Sequence, residues 1–108
     1  MKLSKKEKRL EAENDLLGRV YDLILNVETP DDERSILIEF KNAVEEGKDF
    51  EKQVMRLAES LRQLSLKKFN NKETLSKEVG KLYMDISTTG FFEENLGRGL
   101  AVLGTVLG

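Results

Sequence analysis

Carboxylates that stand next to one another are the side chains of this sequence that come nearest to acid–base chemistry. They occur in three groups, Asp31-Asp32-Glu33, Glu45-Glu46 and Glu93-Glu94. General acid–base catalysis requires titratable groups that converge on one point, whereas neighbouring residues of a helix project in different directions. All three groups also lie beside predicted helix ends, where solvent screens their charges. We therefore expect no general acid–base pair among them.

The chain contains neither histidine nor cysteine. Histidine is the commonest general base and metal ligand, and cysteine supplies thiolate and disulfide chemistry. The sequence therefore predicts no catalytic residue, no metal site and no cofactor, and we do not expect an enzyme.

A cluster of lysines between the last two predicted helices is a candidate binding site. From Lys52 to Lys81 the chain has eight basic residues against three acidic ones, whereas Glu28 to Glu51 has nine acidic residues against three basic ones. A basic side chain near an anionic lipid surface contributes about 1 kcal/mol, so the cluster suits such a surface. The alternative is a solvated loop on a protein rich in charge. The formal net charge of −2 argues against nucleic acid as a partner. The predicted partner-binding lysines are Lys67, Lys68, Lys72, Lys77 and Lys81.

The last nineteen residues, from Gly90 to Gly108, hold five of the eight glycines, and Arg98 is the one charged residue after Glu94. Each glycine inside a helix costs about 1 kcal/mol, so this segment is a poor helix unless it packs on a surface. The surface is either a groove of its own domain or a partner. Its apolar run, the fourteen residues from Asn95, is shorter than the roughly 20 residues of a membrane-spanning helix. Its leucines follow helical steps of four, three and four at Leu96, Leu100, Leu103 and Leu107.

Phe91 and Phe92 precede this apolar run and are a second candidate contact. A pair of aromatic rings can anchor a partner or a bilayer interface, and it can equally close the open end of a helix bundle. We predict that Phe91, Phe92 and Arg98 complete the set of partner-binding residues.

Apolar residues recur at steps of three and four along most of the chain, which predicts four amphipathic helices. The first runs from about Ser4 to Val27. Thr29 is the predicted N-cap of the second, with Pro30 at its first position, and Gly47 ends it. The third begins at Asp49 as N-cap and ends at Asn70-Asn71. The fourth begins at Thr74 as N-cap and ends at Thr88-Thr89-Gly90.

The predicted core consists of the apolar faces of these helices. The first contributes Leu10, Leu16, Leu17, Val20, Leu23, Ile24 and Val27, and the second contributes Ile36, Leu37, Phe40, Ala43 and Val44. The third contributes Phe50, Val54, Leu57, Ala58, Leu61 and Leu64, and the fourth contributes Leu75, Val79, Leu82 and Ile86.

Short connections between four amphipathic helices predict an all-α fold, an antiparallel four-helix bundle over residues 1–90. Residues 91–108 form a Gly-rich apolar tail, packed on the bundle or bound to a partner. The basic N-terminus is followed at once by acidic residues rather than by the apolar stretch of a signal peptide. We therefore expect a cytoplasmic protein, with contact at the inner face of the membrane.

Two segments resemble the enterocin A-type (pediocin-like) bacteriocin immunity proteins. The run from Lys48 to Phe69, KDFEKQVMRLAESLRQLSLKKF, is similar to their third helix. The run from Thr74 to Ser87, TLSKEVGKLYMDIS, is similar to their fourth. The resemblance extends over about residues 5–90 and consists of apolar spacing and small residues.

This resemblance implies a small cytoplasmic four-helix protein of lactic acid bacteria or streptococci that protects its producer from a pore-forming peptide bacteriocin. It further implies a partner, the bacteriocin's membrane receptor, a mannose-type sugar permease, bound together with the bacteriocin from the cytoplasmic side. The C-terminal half is the part that the resemblance associates with the choice of bacteriocin. It implies no catalytic residue.

A different class of function also fits the sequence. The acidic first half, from Glu28 to Glu51, suits a soluble inhibitor or adaptor that captures a basic cytoplasmic protein. This alternative predicts no membrane association, and it predicts that neutralising Glu45 and Glu46 abolishes capture. A dimer formed through apolar tails is a further arrangement that the sequence leaves open.

Overall fold

Four α-helices account for most of residues 5–87, the part of the chain that the computed structural model describes. They are α1 (Lys5–Leu25), α2 (Asp31–Glu45), α3 (Phe50–Asn70) and α4 (Lys77–Ser87). No strand occurs in this range, so the predicted all-helical fold is confirmed for the described residues. The antiparallel arrangement stays a prediction, and the tail at 91–108 lies outside the described residues.

The helices pack around one apolar core to which each contributes. Helix α2 contacts both α1 and α3, and α3 also contacts α4. The rings of Phe40 and Phe50 meet edge to face with their centroids 5.8 Å apart, which joins the end of α2 to the start of α3. The fully buried residues of the core are Val20, Leu37, Val54, Leu61, Val79, Leu82 and Ile86.

The predicted core of α1 was wrong at both ends. Leu10 and Val27 are exposed, whereas Leu16 and Leu23 are buried with Val20, as predicted. Val27 is exposed because α1 ends two residues earlier, at Leu25. The buried stripe of α1 is therefore centred on Val20 and is shorter than the apolar pattern.

The connection between α1 and α2 is held by polar side chains that bond the end of α1. The Thr29 hydroxyl donates to the Leu23 carbonyl at 2.7 Å. The Arg34 guanidinium donates to the carbonyls of Ile24 at 2.9 Å and Asn26 at 2.6 Å. Thr29 was predicted to be the N-cap of α2, but its hydroxyl bonds the end of α1 and Pro30 occupies the N-cap position.

The connection between α2 and α3 follows the prediction. Gly47 has a φ of +87°, the left-handed conformation that commonly ends a helix at glycine. The Asp49 carboxylate accepts a hydrogen bond from the Lys52 amide at 3.0 Å, as an N-cap does. Both predicted helix boundaries are confirmed.

The start of α4 differs from the prediction. The helix begins at Lys77, and the Ser76 carbonyl accepts its first intrahelical bond from the Gly80 amide at 2.7 Å. Ser76 therefore occupies the position that was predicted for Thr74. The reason lies outside the local sequence, because a carboxylate of α2 accepts hydrogen bonds from Ser76.

Candidate functional site

The carboxylate of Glu33, 0% exposed, joins three helices in the interior. It accepts a hydrogen bond from the Lys68 ammonium of α3 at 2.5 Å. It also accepts from the Ser76 amide, at 3.0 Å from Oε2, and from the Ser76 hydroxyl, at 2.6 Å from Oε1. A carboxylate at the start of a helix is favoured by the helix dipole, so Glu33 stabilises the start of α4 as well as pairing with Lys68.

The Lys68 ammonium is held in its charged form by this site. Burial opposes the charge, but the hydrogen bond and charge of Glu33, together with the charge of Asp32, outweigh it and raise the pKa of Lys68 above its ordinary value. The Asp32 carboxylate lies 3.4 Å from the ammonium and is half exposed. The site is a structural ion pair with donors and acceptors matched, and not an acid–base pair poised to exchange a proton.

Solvent was expected to screen all three carboxylate groups of the sequence, and for Glu33 that expectation was wrong. A signal for its burial exists in the sequence. Glu33 precedes Leu37 and Phe40 by steps of four and three, which places it on the apolar face of α2. Lys68 likewise follows Leu61 by seven residues on the apolar face of α3. Two opposite charges on buried faces indicate a pair once the helices are known to touch.

The structure separates the predicted partner-binding lysines into two groups. Lys68 lies inside the protein beside Glu33. Lys67, Lys72, Lys77 and Lys81 are exposed. Lys67 follows Ser60 by seven residues, and Ser60 lines a shallow groove between α3 and α2, so Lys67 lies on the α2 side of α3. Lys72 precedes α4, and Lys77 and Lys81 lie one turn apart on it. The other predicted contacts, Phe91, Phe92 and Arg98, lie outside the described residues.

Sequence reasoning missed a set of exposed apolar side chains in the C-terminal half, which we call the apolar patch. Phe69 is 73% exposed, Leu66 53% and Met55 47% on α3, and Met84 is 63% exposed on α4. Leu66 follows Met55 by about three helical turns, and Phe69 follows Met55 by about four. The three side chains therefore lie on the same side of α3. The signal was present as a second apolar stripe, offset from the core stripe.

The polar residues of α3 beside the apolar patch are paired with one another. The Arg62 guanidinium donates two hydrogen bonds to the Glu59 carboxylate, at 3.0 and 2.7 Å, and Gln63 donates a third at 2.9 Å. These bonds from Arg62 and Gln63 lower the pKa of Glu59 to about 2, so its charge is neutralised by Arg62 and not by a proton.

The acidic residues at the end of α2 have basic neighbours. Glu45 lies 3.6 Å from Lys41, and Glu46 lies 3.6 Å from Lys48. Exposed pairs at this distance contribute little to stability, but they offset the charge that a basic partner would meet.

The part of the chain that the structure describes holds no group of three or more Asp and Glu side chains arranged to bind a metal ion. Within residues 5–87, no helix has the length and apolar character needed to cross a membrane.

Comparison with known proteins gives one family. A family model described as the bacteriocin immunity protein family matches residues 11–90, which include α2, α3 and α4 in full and most of α1. The searches of curated proteins and of solved structures each returned no match. The matched range is more than half of the 108 residues and contains the Glu33–Lys68 pair and the apolar patch. This chain belongs to the bacteriocin immunity protein family.

Proposed function

We propose that this protein protects the cell that makes it from a pore-forming peptide bacteriocin by binding the bacteriocin's membrane receptor, with bacteriocin bound, from the cytoplasmic side. The observation that carries the proposal is the family match over residues 11–90. In keeping with the resemblance, the receptor is a mannose-type sugar permease. Capture of the toxin-engaged receptor blocks the pore without any covalent chemistry.

The exposed residues of the C-terminal half are the contacts that we assign to the receptor and to the anionic membrane surface around it. Lys67, Lys72, Lys77 and Lys81 are free to meet a partner surface, whereas the ammonium of Lys68 already serves the interior. Phe91, Phe92 and Arg98 complete the assigned set. Support for this location comes from the exposed lysines and apolar side chains that α3 and α4 bring together.

Survival of matched strains tests the protective function. One strain expresses the protein, the other carries the same vector without the gene, and both are challenged with a panel of receptor-dependent peptide bacteriocins. We expect the expressing strain to survive at least one peptide that kills its match. Equal killing across the panel would contradict the protective function.

Capture from detergent-solubilised membranes tests the mechanism. The tagged protein should retain the receptor permease when the matching bacteriocin is present and lose it when the peptide is omitted. Retention of a soluble partner instead, with no permease, would favour the adaptor hypothesis and overturn the membrane-receptor mechanism while leaving protection intact.

A further inference from the structure

The apolar patch lies on an outer face built by two helices. Asp85 of α4 pairs with Arg19 of α1 at 2.8 Å. Met84, the residue before Asp85, is exposed and lies on the side of α4 that faces away from the core residues Leu82 and Ile86. The patch therefore extends across α3 and α4, which contact each other directly.

The dimensions of the face suit a broad surface and not a pocket. From Met55 to Phe69 the patch is about 21 Å long, because a helix rises about 1.5 Å per residue. Neighbouring helices lie about 8–10 Å apart, which sets its width. Its members are methionine, leucine and phenylalanine with large exposed fractions, and the Glu59–Arg62 pair lies between Met55 and Leu66 along α3. Large apolar side chains exposed on one face mark an interaction site.

Basic side chains border this patch along α4. Lys77, Lys81 and Met84 follow one another by steps of four and three, so the two lysines lie in line with an apolar member of the patch. Lys72 lies in the connection just before α4. We call Lys72, Lys77 and Lys81 the basic row.

The acidic residues near the face do not cancel this charge. Glu59 is bonded to Arg62, and Glu73 offsets part of the charge of Lys72 beside it. Glu78 and Lys77 both line a depression with Asn26 and Thr29 of the α1–α2 connection. Lys72, Lys77 and Lys81 still outnumber Glu73 and Glu78. The face therefore presents more positive than negative charge, although the whole chain has a net charge of −2.

The backbone of Lys72 is fixed by the end of α3. Its φ is +63°, and among the described residues it is the non-glycine residue with a positive φ. The Lys72 amide donates to the Phe69 carbonyl at 2.9 Å and the Glu73 amide donates to the Lys68 carbonyl at 2.7 Å, so this conformation closes the helix end. Lys72 is therefore held in the connection between Phe69 of the apolar patch and the start of α4.

We propose that the α3–α4 face, with the apolar patch at its centre and the basic row at its border, docks on the anionic lipid surface of the membrane. Phe69, Leu66 and the two methionines enter the boundary between headgroups and acyl chains, and the lysines contact lipid phosphates. Charge complementarity selects an anionic bilayer as the occupant. The inference rests on the proposed function, since docking holds the protein beside a membrane-embedded receptor.

Vesicle co-sedimentation of the full chain tests this docking without receptor or bacteriocin. We expect binding to vesicles that contain phosphatidylglycerol, little binding to phosphatidylcholine alone, and weaker binding as salt is raised. Changing Lys72, Lys77 and Lys81 to glutamine should weaken binding about a hundredfold, at about a factor of five per lysine. The matched control changes Lys6, Lys8 and Lys48, which are exposed elsewhere, and should bind like the wild type.

A second pair of variants tests the apolar patch. The double change Leu66→Ser with Phe69→Ser should weaken binding about tenfold or more, whereas Leu25→Ser with Val27→Ser, exposed apolar residues at the α1–α2 connection, should leave it unchanged. Equal losses in the test and control variants, or no binding of the wild type, would overturn the proposal.

A spin label at Leu66→Cys tests whether something other than lipid covers the apolar patch. The label attaches at this position alone because the chain has no native cysteine. The proposal expects a mobile label in solution that becomes accessible to oxygen and protected from a polar relaxation agent on anionic vesicles. A label already immobile in solution and unchanged by vesicles would show that the tail or a second copy covers the patch, and would overturn the proposal. Because no receptor is present, a negative result here leaves the survival experiment to decide protection by itself.

Discussion

The ammonium of Lys68 and the carboxylate of Glu33 meet at 2.5 Å in the interior although 35 residues separate them. The same carboxylate receives the amide and hydroxyl of Ser76. One side chain of α2 therefore fixes the end of α3 and the start of α4. These two helices carry the face that we assign to the membrane, so its geometry depends on this interior pair.

Removal of one member of the pair should be strongly destabilising. Glu33→Gln leaves the buried Lys68 ammonium with the half-exposed Asp32 carboxylate at 3.4 Å as its counter-charge. Because breaking a buried pair costs about 3–5 kcal/mol when no counter-charge remains, we expect a loss of about 3 kcal/mol. Urea unfolding followed by circular dichroism measures the loss. The control Glu39→Gln changes an exposed carboxylate of the same helix and should shift stability by less than about 0.5 kcal/mol.

Replacement of both members together should be far better tolerated. Apolar residues of similar volume avoid the cost of burying two charges. The free energy of unfolding of the double variant Glu33→Met with Lys68→Met should therefore be closer to that of the wild type than the value of either single variant is. A double variant as unstable as the two single losses added together would show that the two side chains do not act as a pair.

Alkaline pH should weaken the fold through Lys68. The pKa of Lys68 is raised in the folded protein, so its contribution is complete below the ordinary lysine pKa of about 10.5 and is lost as pH rises through the higher folded value. Unfolding free energies measured between neutral pH and pH about 11 should fall at the alkaline end, and the Lys68→Met variant should fall less. Identical alkaline slopes for the two proteins would contradict this assignment.

Two glycine-to-alanine changes should have opposite effects. Gly47→Ala places a side chain at a φ of +87°, which costs about 1 kcal/mol even though no atom lies within 4 Å of the added Cβ. Gly18→Ala, also with open space around the added Cβ, lies within α1 and should stabilise by about 0.5–1 kcal/mol. Thermal unfolding of both variants measures the difference. A gain at Gly47 would contradict the left-handed helix end.

The Arg34 guanidinium should stabilise the α1–α2 connection because its three nitrogen atoms donate to three different acceptors. Arg34→Lys cannot reproduce bonds to two carbonyls and a carboxylate, and we expect a loss of about 1–3 kcal/mol. Asp31→Asn removes only its exposed ionic partner and should cost less than about 1 kcal/mol. Chemical denaturation compares the two, and equal losses would mean that the carbonyl bonds contribute nothing.

Truncation should distinguish the role of residues 91–108 from that of the helical part of the chain. A chain ending at Gly90 should keep its helical circular dichroism while protecting cells less well, because the tail is proposed to contact the partner and not to complete the core. Survival on the matching bacteriocin and the unfolding midpoint are measured in parallel. If the shortened protein unfolds, the tail is part of the core and its proposed partner contact fails.

Local sequence was sufficient for the four helices, for the end of α2 and for both ends of α3. Steps of three and four gave four helices and most of the buried residues, since a helix repeats every 3.6 residues whatever lies beside it. Gly47 and Asp49 were readable because a helix end imposes its own conformational and hydrogen-bonding demands. The resemblance of the third and fourth helices to a known family was likewise readable from spacing and residue size.

The remaining features depend on which helix lies beside which. Thr29 bonds the end of α1 and not the start of α2, and Ser76 replaces Thr74 at the start of α4, because partners from other helices compete with local caps. Glu33 and Lys68 are both on apolar faces in the sequence, but a charge is stable there only if its counter-charge arrives from another element. Met84 likewise joins the exposed apolar side chains of α3 only because α4 lies next to α3. Periodicity along one helix determined the helices, whereas distances between helices decided the ion pair, the caps and the face that meets the membrane.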